Sequence, residues 1–365
     1  MLSSKATSVP TQPLVAGSPI SRRALLRSSA ALALTTIATP LLAQQSLIEE
    51  PNPADLIRPA TQAAIDRGLA YLAARQQDDG SFGASGYARN TAVVALGGMA
   101  FLAGGNTPGR GEYGLETTRA MEFILGCSDD SGFISLPTSA SHGPMYDHGF
   151  ATLFLAEVYG MSPDSSVREK LSRAVKLIIA TQNSEGGWRY MPRVHDADIS
   201  VTICQVMALR AARNAGIYVP SETIDRCVDY VKRSQNADGG FMYMLQGGPS
   251  RFPRSAAGVV ALYSAGIYSG DEIRKGLDYL MQNMPRQEDL SRDTHALYGH
   301  YYGVQAMWQA GGQYWQRWYP AVHDVLLKQQ QPDGSWLDLI CSEYGTAMAC
   351  IILQMPNNYL PIFQR

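Results

Sequence analysis

Several function classes are excluded by what the chain has little of. Only 17% of the 365 residues are charged, and the net charge is -2. No Lys/Arg run follows the N-terminal region, so the electrostatic footprint that a phosphate backbone demands is missing and nucleic acid is not expected as a partner. Cysteine is scarce and odd in number: Cys127, Cys204, Cys227, Cys341 and Cys350, none of them in a Cys-x-x-Cys pair. That pattern suits small core residues better than a disulfide frame or a zinc cluster, and no metal or cofactor is expected. No apolar run reaches the ~20 residues that a helical bilayer span needs, so the mature chain should have no integral membrane segment. Oligomeric state is left open. At 45% apolar residues, the chain is otherwise of globular composition, with enough for a sizeable core.

The first 43 residues read as a leader. Ser21-Arg22-Arg23-Ala24-Leu25-Leu26-Arg27 precedes a moderately apolar stretch from Ser28 to Leu42, which ends on small residues at Ala43. A basic region, an apolar region and a cleavage site in that order fit a twin-arginine export signal, giving a periplasmic or extracellular protein that starts at Gln44. Residues 44–59 look like a polar, Pro-rich lead-in.

From residue 60 to 365 the chain is organised by repetition. Gln182-Asn183-Ser184-Glu185-Gly186-Gly187-Trp188 sits between an amphipathic helix, Val167 to Thr181, and a nearly all-apolar one, Asp198 to Asn214. A Gln six places before an aromatic residue recurs as Gln76 to Phe82, Gln235 to Phe241 and Gln330 to Trp336. A degenerate copy runs from Cys127 to Phe133, and a fifth keeps only Gln282. The steps are roughly 50 residues, the signature of a repeat architecture. In each unit the first helix has an apolar stripe, as in Val167, Leu171, Val175 and Ile178, with charges such as Arg168 and Glu169 on the other face. The second has no polar stripe: Thr91 to Leu102, Ser255 to Ala265, Tyr302 to Ala310 and Thr346 to Leu353 are examples, and such helices must be buried on most sides. A glycine follows five of the six, where a left-handed cap is wanted. Six hairpins of one wet and one buried helix close as an all-α α6/α6 toroid, with inner helices forming a barrel inside an outer ring.

The Gln-x3-Asp-Gly-x-Trp copies resemble the QW repeats of squalene and hopene cyclases, in the superfamily that also holds the protein prenyltransferase β-subunits. The resemblance covers about Ala60 to Gln354. It implies that the motif Gln and aromatic residues tie neighbouring hairpins together.

In such a ring the inner helices run parallel, so their N-termini open at one mouth, where unpaired N–H groups favour an anionic ligand head above an apolar interior. An apolar small molecule or lipid is the expected ligand; a protein- or glycan-binding scaffold is the alternative. The residues expected at that mouth are Asp147 and His148; His195, Asp196 and Asp198; Arg254; His300 and Tyr301; Glu343 and Tyr344. Asp196-Ala197-Asp198-Ile199-Ser200 resembles the Asp-x-Asp-Asp-Thr motif of squalene cyclases. Matched directly, it implies Asp198 as catalytic acid, with His195 and Asp196 beside it. Aligned instead on Thr202, which matches Thr91 and Thr346 in sister helices, it puts the acid place on Ser200. The zinc site of prenyltransferases is incomplete, because Tyr344-Gly345-Thr346 has glycine where that family has histidine.

Overall fold

A computed structural model describes residues 56–162, 164–286 and 295–364, all within one compact unit. The expected leader lies outside these residues. The outer helices are α1 (Pro59–Arg75), α3 (Gly114–Gly126), α5 (Ser166–Thr181), α7 (Ser221–Arg233), α9 (Asp271–Gln282) and α11 (Gly312–Gln329). The inner helices are α2 (Thr91–Ala103), α4 (Pro144–Val158), α6 (Ile199–Asn214), α8 (Phe252–Ser264), α10 (Ala296–Ala310) and α12 (Ser342–Leu353). Each inner helix packs on the next in order, α2 on α4 through to α10 on α12, and α12 returns to α2. The result is a closed α6/α6 toroid.

The two rings differ in burial as the apolar patterns require. Every residue of α2 is buried, whereas α7 buries Ile224, Cys227, Tyr230 and Val231 and leaves its charged face wet. Cys204, Cys227, Cys341 and Cys350 are buried free thiols and Cys127 is half-buried. No helix among the described residues is long and apolar enough to cross a membrane.

The motif works as a clamp between neighbouring hairpins. The Gln182 side-chain amide donates to Gly186 O in its own turn at 2.8 Å and to Thr223 O in the next outer helix at 2.9 Å. Gln76 does the same with Gly80 O and Glu116 O, and Gln235 with Gly239 O and Glu272 O. The turn glycine is required twice over. Gly186 has φ +100°, and a Cβ there would stand 2.1 Å from Arg226 O of the next outer helix. Glycine is the residue that tolerates both the conformation and the approach. The indole N–H groups of Trp188 and Trp336 donate back to Ile178 O and Leu326 O, which pins each aromatic residue to its own outer helix.

The register of the second copy shifts by one. Gly132, with φ +87°, packs on the Arg173 backbone as Gly186 does on Arg226. This places Ser128 at the Gln position and Ile134 at the aromatic one, instead of Cys127 and Phe133. Ser128 is too short to reach the next helix. Lys170 of α5 reaches back instead, donating to Leu125 O at 2.5 Å. Two glycines expected as left-handed caps behave otherwise: Gly104 has φ -81°, its neighbour Gly105 takes the positive value, and Gly160 does not adopt a positive φ.

Inner helix starts also differ from the apolar pattern. α10 begins at Ala296, more than a turn before His300. Gly299 and Gly303 are packing sites: a Cβ on Gly299 would stand 2.7 Å from the Phe252 ring, and one on Gly303 2.9 Å from Trp318.

Candidate functional site

All six inner helices bring residues of their first two turns to one cavity of about 730 Å³. Ala92 and Val93 come from α2, Tyr146, Asp147 and Phe150 from α4, Ser200 from α6, Arg254 from α8, Tyr298 from α10 and Tyr344 from α12. The loops before these helices add Tyr87, His142, Tyr190, Tyr243, Arg251 and His295. The mouth expected from parallel inner helices therefore exists, and tyrosine dominates its wall. Tyr146 stands 6.2 Å from Tyr190 and 6.5 Å from Tyr298, ring centre to ring centre. The Tyr190 and Tyr243 hydroxyls hydrogen-bond each other, and Tyr298 donates to Ser200 O at 2.8 Å.

Asp147 is the buried carboxyl on this wall. Its Oδ1 accepts from Asn90 Nδ2 at 3.0 Å, while Asn90 caps α2 by accepting from Ala92 N and Val93 N. Burial pushes the Asp147 pKa up to about 6, with hydrogen bonds from Asn90, Ser141 and Ser135 pulling the other way. Two guanidinium groups, those of Arg251 and Arg254, line the same cavity. Burial pulls Arg254 down, as does its like-charged neighbour Arg251. Arg254 Nη2 donates to Pro249 O at 2.5 Å, and its buried Nε has no partner among the described residues. Tyr87 OH and His142 Nδ1 share a hydrogen bond of 2.6 Å, and the His142 ring meets His295 edge-on at 6.2 Å.

Of the remaining expected site residues, Tyr344 borders the cavity and seven others sit elsewhere. Asp198 is fully buried as the cap of α6, with Oδ1 accepting from Ser200 N and Val201 N. Burial raises its pKa to about 6. Asp196 and Asp198 are held by Arg189, at 3.0 and 3.8 Å. Arg189 in turn lies over the Tyr190 and Tyr243 rings, so it stands behind the cavity wall. His195 points outward with its side chain 78% exposed, bonded to Asp196 at 3.0 Å. The trio Asp198, Asp196 and His195 thus does not meet in the cavity; the segment reaches it through Ser200.

His148 has a structural partner set. Its Nδ1 accepts from Ile134 N at 3.1 Å and its Nε2 meets Ala174 O at 3.2 Å, and burial pulls its pKa down to about 4. The hydroxyls of Thr202, Ser255 and Thr346 accept from Trp188 N, Phe241 N and Trp336 N in the sister units. Thr91 does not match them, because its hydroxyl has no partner among the described residues. His300 is buried between Phe252 and Trp318, behind the wall, because α10 starts early. Tyr301 lies beneath Phe150 at 6.2 Å. Glu343 turns to the outer ring and pairs with Arg75 at 3.1 Å. Tyr190, Tyr243, Tyr298 and His295 were not singled out from sequence. The three tyrosines are apolar enough to read as core, and His295 precedes the expected helix start at Tyr302 by seven residues. Among the described residues, no three His, Cys, Asp or Glu side chains converge as a metal set.

Comparison with known proteins agrees with this geometry. The model for the squalene-hopene cyclase C-terminal domain matches residues 140–300, and that for the prenyltransferase alpha-alpha toroid domain matches residues 28–170. No curated protein sequence matches the chain. Among solved structures, the type II terpene cyclase MstE from Scytonema, in complex with its product merosterolic acid A, is 14% identical with a TM-score of 0.60, covering 82% of this chain and 97% of its own. The same cyclase has been solved with its substrate geranylgeranyl dihydroxybenzoate. A GH76 alpha-mannanase from Bacteroides thetaiotaomicron is 12% identical with a TM-score of 0.59, covering 84% of this chain and 98% of its own. A protein from Actinoplanes is 15% identical with a TM-score of 0.56, covering 82% and 99%. These identities speak for the fold alone. With the repeat motif, the closed ring and both family models in agreement, the chain is an α/α toroid that resembles the terpene cyclase/protein prenyltransferase superfamily.

Proposed function

We propose that this chain is an exported toroid that holds an apolar, isoprenoid or lipid-like molecule in its mouth cavity, with Asp147 as the acid facing it. The observation that carries this is the cavity itself: about 730 Å³, walled by tyrosine and phenylalanine, with a buried carboxyl and the guanidinium groups of Arg251 and Arg254 in its lining. Such a volume lies within the ~300–1,000 Å³ of small-molecule sites. Aromatic walls take an apolar body. The two arginines and the converging helix N-termini suit an anionic end. With its pKa raised to about 6, Asp147 is partly protonated near neutrality and can donate a proton into the cavity it borders. Ser200 fills the place that the Thr202 alignment gives to the cyclase acid, and a hydroxyl cannot protonate an alkene at ordinary pH. Proton donation here therefore rests on Asp147. The export signal supports a periplasmic or extracellular setting, and N-terminal sequencing of the exported protein should begin at Gln44.

Native mass spectrometry with organic extraction of the purified protein tests the ligand. Recovery of a stoichiometric apolar molecule that is lost in Tyr298→Ala is the expected result. A second reading, glycan binding, draws on the tyrosines that line the cavity and on the likeness to the alpha-mannanase. It gains if the extract is empty and oligosaccharides protect the protein from unfolding.

A further inference from the structure

The loop before α2 contains two non-glycine residues with left-handed backbone, Ser85 at φ +52° and Arg89 at φ +62°. That conformation is unfavourable for a residue with a Cβ, and it persists where the surroundings over-determine it. Here the loop before α4 does so. Ala140 N donates to Gly86 O at 2.7 Å, and Tyr87 OH shares its hydrogen bond with His142. Arg89 is tied in addition to Asp79, at 3.0 Å. The strained turn delivers Asn90, only 2% exposed, to the start of α2.

Asn90 uses both ends of its side-chain amide. Its Oδ1 accepts from Ala92 N at 2.9 Å and from Val93 N at 3.1 Å, and these two donors fix which end of the amide is which. Nδ2 therefore points the other way. It donates one hydrogen to Ala140 O and the other to Asp147 Oδ1, each at 3.0 Å. Ser, Thr, Asp and Asn all cap helices, but a carboxylate has no hydrogen to donate and a hydroxyl has only one. An amide alone can cap α2, bond the neighbouring loop and hold the acid at once.

We propose that Asn90 is the positioning residue of Asp147: by meeting Oδ1 with an N–H donor, it leaves Oδ2 as the oxygen that carries the acid proton. This rests on Asp147 as the acid of the proposed site. A proton on Oδ1 would stand against the hydrogen of Asn90 Nδ2. That amide cannot turn away without giving up Ala140 O and both capping bonds. No cationic side chain pairs with Asp147 among the described residues, so neutral donors hold it: Asn90, with Ser141 and Ser135 beside it. Other elements bring further ionisable groups to the same cavity, namely Tyr87, His142, His295, Arg251 and Arg254, along with the tyrosines of its wall.

Asn90→Asp separates holding from capping. A carboxylate can accept from Ala92 N and Val93 N as Asp198 does from the first turn of α6, but it offers Asp147 no hydrogen. Two carboxyl groups in contact cannot both ionise and so share a proton. Carboxyl-carbon NMR of the mature protein, with Asp147→Asn to assign the signal, reads the titration without any ligand. In the parent, Asp147 should titrate near pH 6. In Asn90→Asp the midpoint should rise by roughly one pH unit or more. The pH step in affinity for dodecanoate, read by calorimetry, should move with it. An unchanged midpoint in folded Asn90→Asp overturns the positioning role, whatever the binding does. If dodecanoate does not bind the parent, the ligand reading falls, while the midpoint still decides the role of Asn90. Should Asn90→Asp fail to fold, Asn90→Ser keeps a capping oxygen but withdraws the amide. Its midpoint should rise as well, and an unchanged midpoint there overturns the proposal equally.

Discussion

The Gln330 side-chain amide, at the end of the last outer helix, donates to the carbonyl of Ala64 in the first, at 2.8 Å. The same amide holds Gly334 O at 2.9 Å, and Gly334 packs on the Arg67 backbone. The contact is the one that Gln182 makes to Thr223, now spanning nearly the whole chain. A repeat motif used between neighbours thus also closes the ring.

Gln330→Ala should therefore destabilise the whole toroid rather than one hairpin. Two hydrogen bonds to backbone carbonyls are lost, at ~0.5–1.5 kcal/mol for each bond, together with the exposed one that Arg67 Nη2 donates to Gln330 Oε1. Urea unfolding should show a loss of about 1–3 kcal/mol. Gln77→Ala, next to the equivalent clamp in the first unit but exposed, should stay within ~0.5 kcal/mol. Equal effects for the two would mean that the clamp contributes nothing to ring closure.

The fold was legible because its cause is periodic. The Gln, the glycine and the aromatic residue recur where the same backbone carbonyls recur, so spacing alone predicts a closed set of hairpins. The site was legible only as a place. Which side chains enter the cavity depends on helix starts and rotations that apolar periodicity does not fix. His300 was expected at the mouth because α10 was expected to begin near it; the helix begins at Ala296, and His295 stands at the mouth instead. Asp196 and Asp198 were expected in the cavity, and no sequence signal reveals that Arg189 draws both aside.

Glu157 predicts an unusual pH profile. Burial pushes its pKa from 4.5 up to about 8. Below about 4.5 both folded and unfolded chains hold the proton, and this group contributes nothing to the slope. Between there and about pH 8 the unfolded chain releases the proton and the folded chain keeps it, so stability falls as pH rises. Glu157→Gln keeps an acceptor for Ile362 N without the charge. It should be more stable than the parent at pH 8, by a few kcal/mol at most, with the difference closing toward pH 4.5. Thermal unfolding at the two pH values measures this, and a constant difference would show that Glu157 does not titrate in this range.

His148 predicts the opposite slope at acid pH. Its folded pKa is pulled down from 6.5 to about 4. As pH falls through that interval the unfolded chain takes up a proton that the folded chain refuses, so stability is lost. His148→Ala should remove this acid sensitivity and cost about 1–3 kcal/mol at pH 7, by orphaning the buried Ile134 N. Binding of an apolar probe should be unchanged, since the ring faces away from the cavity. Weakened binding in a folded His148→Ala protein would place the imidazole in the site after all.

Asp147 and Asp198 separate ligand chemistry from helix capping. Both carboxyls are buried and both have pKa values raised to about 6, so pKa alone does not distinguish them. Geometry does: Asp147 borders the cavity, whereas Asp198 spends Oδ1 on Ser200 N and Val201 N. Asp198→Ala should therefore cost about 0.5–2 kcal/mol of stability, the usual worth of a lost cap, and leave probe affinity and its pH dependence alone. Asp147→Asn should cost little stability, because Asn90 can still hydrogen-bond an amide. Its effect should appear in binding: affinity for a carboxylate-headed tail should weaken in the parent as pH rises through about 6, where Asp147 gains a charge, and the asparagine variant should lose that step. Calorimetric titration from pH 5 to 7.5 measures both. If the step survives in Asp147→Asn and disappears in Asp198→Asn, the acid that meets the ligand is Asp198, and the cavity wall has been assigned to the wrong carboxyl.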